Sequence, residues 1–431
     1  MSILGAMFSS ISGLNANSLT MEIIGNNLAN VNTTGFKYSR PDFQDILSRS
    51  LSRGLSVGRG TMVGGTTMVF SQGGFQSTDT VTDLALSGRG FFMVQDSATT
   101  NTYYTRAGSF HIDQSGFLVD PSGFRVQGFD VDDTGQPQGV TGDIVLPTAP
   151  LQPLATSEIT INANLDSRVP YVGPFDPANP ENTSNFTTAI TVYDSLGNEH
   201  QVTAYFTRED APGPGGGNVW DYNVVVSAED SATGAAYVAQ SGTLEFTTDG
   251  ALQTHTPSAS PANFNFVGAV TQGQAISLNF GTTISDGGTG LDGTTQFAQT
   301  SGLVSQSQDG YGPSDLLSLD IDNDGVISGH FGNGQTRSFA RVAVVNFANI
   351  DGLAQAGGNL FTATGVSGAA IVSVANVAGN GSINSNSLEM SNVDIASQFV
   401  DLITTQRAFQ ANAKAITAAS DMLTVTVNMA Q

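Results

Sequence analysis

Hydrophobic positions divide the chain into three stretches of different period. From Leu4, the residues Leu4, Met7, Ile11, Leu14, Ser18, Met21, Gly25 and Leu28 follow alternating steps of three and four, a heptad seam with weak points at Ser18 and Gly25. At the other end Ile395, Phe399, Leu402, Gln406, Phe409, Ala413, Ile416, Ser420, Leu423 and Val427 obey the same rule. Two terminal helices able to pair are therefore expected. Neither is flanked by the Glu and Lys rows that solvate an isolated coiled coil. The far side of the second carries Ala408, Ala411, Ala415 and Ala418, small residues that permit close approach of further helices, although helix propensity alone also accounts for such a stripe.

Between the ends the period changes to two, with turn signals. Short apolar runs from Tyr103 to Phe129 are broken at Ser115-Gly116 and Ser122-Gly123, and Phe110, Phe117, Phe124 and Phe129 recur between them. A second β region follows Pro147, Pro150 and Pro153, contains an expected hairpin from Ile190 to Phe206 around Leu196-Gly197-Asn198, and closes near Gly287 to Gly293. Strand-like sequence resumes from Ser318 to Phe347, so the first β domain is expected to be discontinuous, with the second inserted into it. The fold class expected is mostly β with paired terminal α-helices. Its parts are a terminal helical coiled-coil domain (1–40 with 388–431), a connecting segment (41–74), a discontinuous β core (75–150 with 294–387) and an inserted outer β domain (151–293).

Composition supports a folded, multi-domain chain. The 431 residues exceed what one core usually serves. Hydrophobic residues make up 39%, and 50 glycines lie scattered between short apolar runs, as turns between strands would place them. The net charge of −23 makes nucleic acid a poor partner, and copies packed side by side would repel unless screened. Lys37, Arg40, Arg49, Arg53 and Arg59 against Asp42 and Asp45 give one segment a local charge of +3, which fits either a contact with acidic neighbours or a solvated basic linker. With no cysteine there is no disulfide, thiolate nucleophile or cysteine-ligated metal. The first ten residues lack the basic and apolar regions of a secretory signal, and no run of about 18 apolar residues predicts a membrane-spanning helix.

Motifs with chemical potential are sparse. Gly54-Leu55-Ser56-Val57-Gly58 has nucleophile-elbow spacing but follows Leu51-Ser52-Arg53 rather than a buried strand. His111, His200, His255 and His330 are far apart and form no metal motif. Gly213-Pro214-Gly215-Gly216-Gly217 lacks the Lys-Ser/Thr of a phosphate loop. Asp320, Asp322, Asp324 and Gly325 match the opening of a calcium loop, but its twelfth position is Phe331 where a bidentate Glu belongs, and an Asn323-Asp324-Gly325 hairpin turn explains the same residues better. No catalytic, cofactor-binding or metal residue is expected.

Two stretches carry a family resemblance. Ile24-Gly25-Asn26-Asn27-Leu28-Ala29-Asn30-Val31-Asn32-Thr33-Thr34-Gly35-Phe36-Lys37 resembles the N-terminal signature of flagellar rod, hook and hook-associated proteins. Ser391-Asn392-Val393-Asp394, Gln406-Arg407-Ala408-Phe409-Gln410-Ala411-Asn412 and Leu423 are similar to the matching C-terminal signature. Leu84 to Phe92 and Tyr104 to Gly108 resemble the core domain of that family, and Ile190 to Asn198 in the insert resembles the outer domain of hook-type subunits. The resemblance implies a structural subunit, not an enzyme, that needs no cofactor. It would leave the cell unfolded through the flagellar type III export apparatus, be added beneath a hook cap, and polymerise with itself into a curved helical tube acting as a universal joint. Distal-rod and hook–filament junction proteins would be its other partners, without membrane insertion. Alternatives are a distal-rod or hook-associated paralogue and, further off, a secreted β-rich adhesin or enzyme.

Overall fold

The computed structural model describes residues 3–46, 59–132, 134–147, 149–213, 216–270 and 272–429. The nucleophile-elbow stretch at 54–58, Arg49, Arg53, Pro214 and Gly215 lie outside the described residues, as do the side chains of Leu4 and Val427. The chain is mostly β, with one long helix near each end, α1 (Ile3–Ala29) and α2 (Ile395–Met429). It forms two compact units, one of Met1–Thr148, Leu317–His330 and Thr336–Gln431, the other of Ala149–Leu316 and Phe331–Gln335.

In the first unit, strands from before and after the insert interleave. Leu84–Ser87 pairs with Ser382–Ser385, Phe75–Ser77 with Ser387–Glu389, and Phe91–Gln95 with Thr336–Asn346. Alternation drives Leu84, Leu86, Phe92, Val94, Val342 and Val344 into one core, and Phe91, Tyr104, Phe347 and Phe361 into a second, ring-against-ring cluster. Ser39–Asp45 and Thr61–Met68 form a two-stranded ribbon that returns along α1: the Ser39 amide meets Asn27 Oδ1 at 3.0 Å and the Thr61 amide meets Ser12 Oγ at 3.2 Å.

The second unit has a five-stranded antiparallel sheet, which includes the hairpin Phe186–Tyr193 with Glu199–Arg208, and a four-stranded sheet. They share a core of Ile159, Ile161, Phe206, Trp220, Tyr222 and Phe264. Trp220, the only tryptophan, is fully buried there. This unit extends past Gly293, the end expected from sequence. Strand Gly302–Gln308 pairs antiparallel with Glu158–Asn164, and the Thr295 amide donates to Ala163 O, so 294–316 belong with the insert.

Asp320, Asp322 and Asp324 lie on a hairpin. The Asp322 carboxylate accepts the amides of Asp324 (2.9 Å) and Val326 (2.8 Å), Gly325 closes the turn at φ +79°, and Phe331 is buried. The same turn recurs at Asp113, Asp120, Asp132 and Asp194, each carboxylate accepting the amides two and four residues on, with glycine three residues on. The histidines have separate partners: His330 Nδ1 meets Thr336 Oγ1, His200 stacks on Phe266 beside Asp194 and Asp230, His255 meets the Tyr222 hydroxyl, and His111 is exposed.

Candidate assembly surface on the terminal helices

The terminal helices pack antiparallel. Near one end Asn27 Nδ2 donates to Gln398 Oε1 at 3.1 Å, and fourteen residues back along α1 Gly13 faces Asn412, whose Nδ2 would lie 2.7 Å from a Cβ at Gly13. The buried stripe of α1 is Ala16, Thr20, Ile24 and Asn27, and that of α2 is Gln398, Thr405 and Ala419. The intrachain contact thus differs from the apolar seam drawn from the heptads. On α2, Leu402, Phe409, Ile416 and Leu423 flank it half-buried, as does Ala413; on α1, Met7, Leu14, Met21 and Leu28 are half-buried and Ile11 is exposed. Apolar periodicity scores Thr20, Asn27, Gln398 and Thr405 as solvent-facing, whereas the Asn27–Gln398 hydrogen bond and the bond of Thr20 to Ala16 O let polar groups sit inside.

The rest of the helix pair presents apolar side chains outward. Phe8 on α1 is 66% exposed and Phe399 on α2 46%, and Ile395, Val400, Ile403, Met422, Val425 and Met429 are also exposed. Thr404, by contrast, is a polar exposed position whose hydroxyl donates to Asp401 O. On α2 these exposed apolar residues fall in two groups, 395–403 and 422–429, one toward each end of the helix, and clustered exposed apolar side chains of this kind mark interaction surfaces.

The signature residues build the junction between helices and β core. Asn27 Nδ2 also donates to Ser39 O, which with the Ser39 amide makes a two-way clasp. After Ala29 the helix stops: Asn30 Nδ2 returns to Asn26 O, and Thr33 Oγ1 donates to Asn30 Oδ1. Gly35, at φ +68°, donates its amide to Glu389 O and leaves no room for a Cβ, which would lie 2.5 Å from Ala107 N. Phe36 is half-buried, whereas Asn26, Ala29 and Asn32 are exposed. On the C-terminal side Asn392 Oδ1 accepts the Tyr38 amide and its Nδ2 donates to Val69 O, and Asp394 Oδ1 accepts the Ser397 amide as the α2 N-cap. Gln406 and Arg407 are exposed, and Asn412 faces Gly13.

Beneath this junction lies an ionic cluster with almost no solvent contact. Lys37 Nζ donates to Glu389 Oε1 at 2.6 Å and to Ser71 O, the Gly73 amide reaches the same carboxylate oxygen, and Arg106 Nη1 lies 3.5 Å from Glu389 Oε2 while its Nη2 donates to Gly88 O. Burial pulls the Lys37 ammonium below its usual range, Glu389 opposes that shift, and Arg106 adds to it. Burial likewise lowers Arg106. Lys37 is therefore not part of an outward basic patch, as the charge count suggested. Arg40 is exposed near Asp42, and Arg59 is exposed.

Four family models cover most of the chain: flagella basal body rod protein (residues 7–37), flagellar hook protein FlgE/F/G D1 domain (85–165), flagellar basal body protein FlaE D2 domain (162–311) and flagellar basal body rod FlgEFG protein C-terminal (384–429). Together with paired terminal helices carrying an uncovered apolar surface, they define an axial protein of the flagellar rod and hook class. The flagellar hook protein FlgE of Borreliella burgdorferi is 35% identical, over 97% of this chain and 98% of its own length, and that of Escherichia coli K12 is 32% identical over 98% and 100%. The chain belongs to the flagellar hook protein family. The crystal structure of Helicobacter pylori flagellar hook protein FlgE2 shares the fold at a TM-score of 0.55 and 15% identity, covering 73% of this chain and all of the other.

Proposed function

We propose that this chain is a structural subunit that polymerises with itself into the flagellar hook, a curved tube that transmits torque as a universal joint. The observation that carries this reading is the apolar surface left on α1 and α2 after they have packed on each other. Leu4, Met7, Ile11, Leu14, Met21 and Leu28 with Ile395, Phe399, Leu402, Phe409, Ala413, Ile416, Leu423 and Val427 are the assembly residues, burying in the polymer a coiled-coil seam that the single chain leaves half covered. In this division the helical ends line the inner tube, the discontinuous β core surrounds them, and the insert forms an outer layer whose contacts slide as the hook turns. Export through the flagellar type III apparatus without a cleaved signal, addition beneath a hook cap, and joints to distal-rod and hook–filament junction proteins complete the reading.

Phe399→Ala tests it. Covering a half-exposed Phe contributes about 1.5 kcal/mol or more, so the critical concentration for assembly should rise about tenfold or more. Thr404→Ala, on a polar exposed position, should change it little. Negative-stain images of the parent should show curved tubes. If Phe399→Ala assembles at the parental critical concentration, these helices are not the assembly surface.

A further inference from the structure

We infer that three layers of the helix pair, Asn27 with Gln398, Thr20 with Thr405, and Gly13 with Asn412, fix the register of α1 on α2. The two outer layers are direct contacts: the 3.1 Å hydrogen bond and the glycine that makes room for Asn412. Thr20 and Thr405 lie seven residues from each on their own helices, and both are buried, which places them level with one another midway between; the Thr20 hydroxyl donates to Ala16 O of its own helix, so this layer acts through small buried polar side chains rather than a bond across the pair. The layers therefore recur once per heptad, and none of them pairs two apolar side chains.

The apolar rows that repeat every seven residues cannot set this register. Met7, Leu14, Met21 and Leu28 repeat every seven residues, and so do Leu402, Phe409, Ile416 and Leu423. A slide of one heptad, about 10 Å along the axis, would put most members of these two rows where another member of the same row had been. The polar layers do not survive such a slide. Asn27 would lose Gln398, and Asn412 would lose its glycine and meet Thr20 or Ala6. A polar core position that selects register at a cost in stability is an established device in paired helices. The register matters because Phe36-Lys37 leaves α1 and Glu389 leads into α2, so a slide would pull apart the two sides of the buried ion cluster. This inference concerns a contact within one chain and stands whether or not the pair lines a tube.

The chain has no cysteine, so introduced pairs report without background. Ala6→Cys with Ala419→Cys marks the observed register, and Ala6→Cys with Thr426→Cys marks a one-heptad slide. Each pair is oxidised in the soluble and the polymerised protein, and intrachain bridges are separated from interchain ones by denaturing gel. The parent should oxidise the first pair and not the second. With Thr20→Leu, Thr405→Leu and Gln398→Leu combined, the yield of the first pair should fall severalfold while helical circular dichroism is kept. Thr20→Ser with Thr405→Ser, which keeps the hydroxyls, should behave as the parent. If the leucine triple loses its helical signal, Thr405→Leu alone is read in the same way. Leucine variants that oxidise Ala6→Cys with Ala419→Cys at the parental yield would overturn the inference.

Discussion

Glu389 is the residue on which the most buried charge depends. It is the common partner of Lys37 and Arg106, and removing one side of a buried ion pair costs about 3 to 5 kcal/mol because the other charge is left without compensation. Glu389→Gln should therefore destabilise the first unit by about that much. Lys37→Met should cost less, since Glu389 keeps Arg106. Trp220 fluorescence follows the second unit alone and should melt unchanged in both variants, while calorimetry reports the loss. Equal, small losses for the two substitutions would mean that the cluster is solvated. This cluster was not legible in the sequence, where Lys37 counts only as a member of a basic run; its counter-charge lies 352 positions away, and no local pattern links them. The Asp-x-x-Gly turns were legible in principle, because spacing alone identifies them, and they give part of the acid excess a local structural task. A second titrating group, Asp221, is pushed up to about 7 by burial and by the hydrogen bond and charge of Glu209. Its folded form holds a proton that the unfolded form releases near 4, so the stability it contributes is present below about 4 and lost as pH rises through about 7. Trp220-monitored unfolding of the parent should show this decline between pH 4 and 7, and Asp221→Asn should flatten it; an unchanged slope would exclude Asp221 as its source.

At the scale of elements, period and turn chemistry announced two long helices and many short strands, and the structure has both. What periodicity did not give was the face each helix turns inward. Ala16, Thr20, Ile24 and Asn27 form a stripe too polar to stand out by hydropathy, yet it is the buried one: Thr20 bonds back to Ala16 O within α1, and Asn27 finds partners in α2 and the ribbon. The end of the insert was misplaced for a related reason: the Gly-rich stretch to Gly293 looks like a boundary, while the strand that completes the sheet, Gly302–Gln308, comes after it and is exposed, with no alternation to mark it. Gly25 allows a direct test of helix economy. A Cβ there would meet nothing within 4 Å, so Gly25→Ala should stabilise α1 by about 0.5 to 1 kcal/mol through backbone entropy. Amide exchange across α1 in the soluble chain should slow accordingly, and faster exchange would show that the glycine is required by a contact of its own.

For the whole molecule, two well-packed β units contrast with a helix pair whose interface is partly polar and whose outer surface is partly apolar. Isolated helices are marginal in water, and a seam with polar layers adds little to them. The account therefore makes the helices the part that gains most from polymerisation and the β units the part that gains least. Amide hydrogen exchange, compared between soluble chain and polymer, tests this most directly. Protection across α1 and α2 should rise by orders of magnitude on assembly, while the strands around Trp220 and the strand Thr336–Asn346 keep the protection they have in the soluble chain. Helices already fully protected in the soluble chain, or still exchanging freely in the polymer, would contradict assembly through the terminal helices.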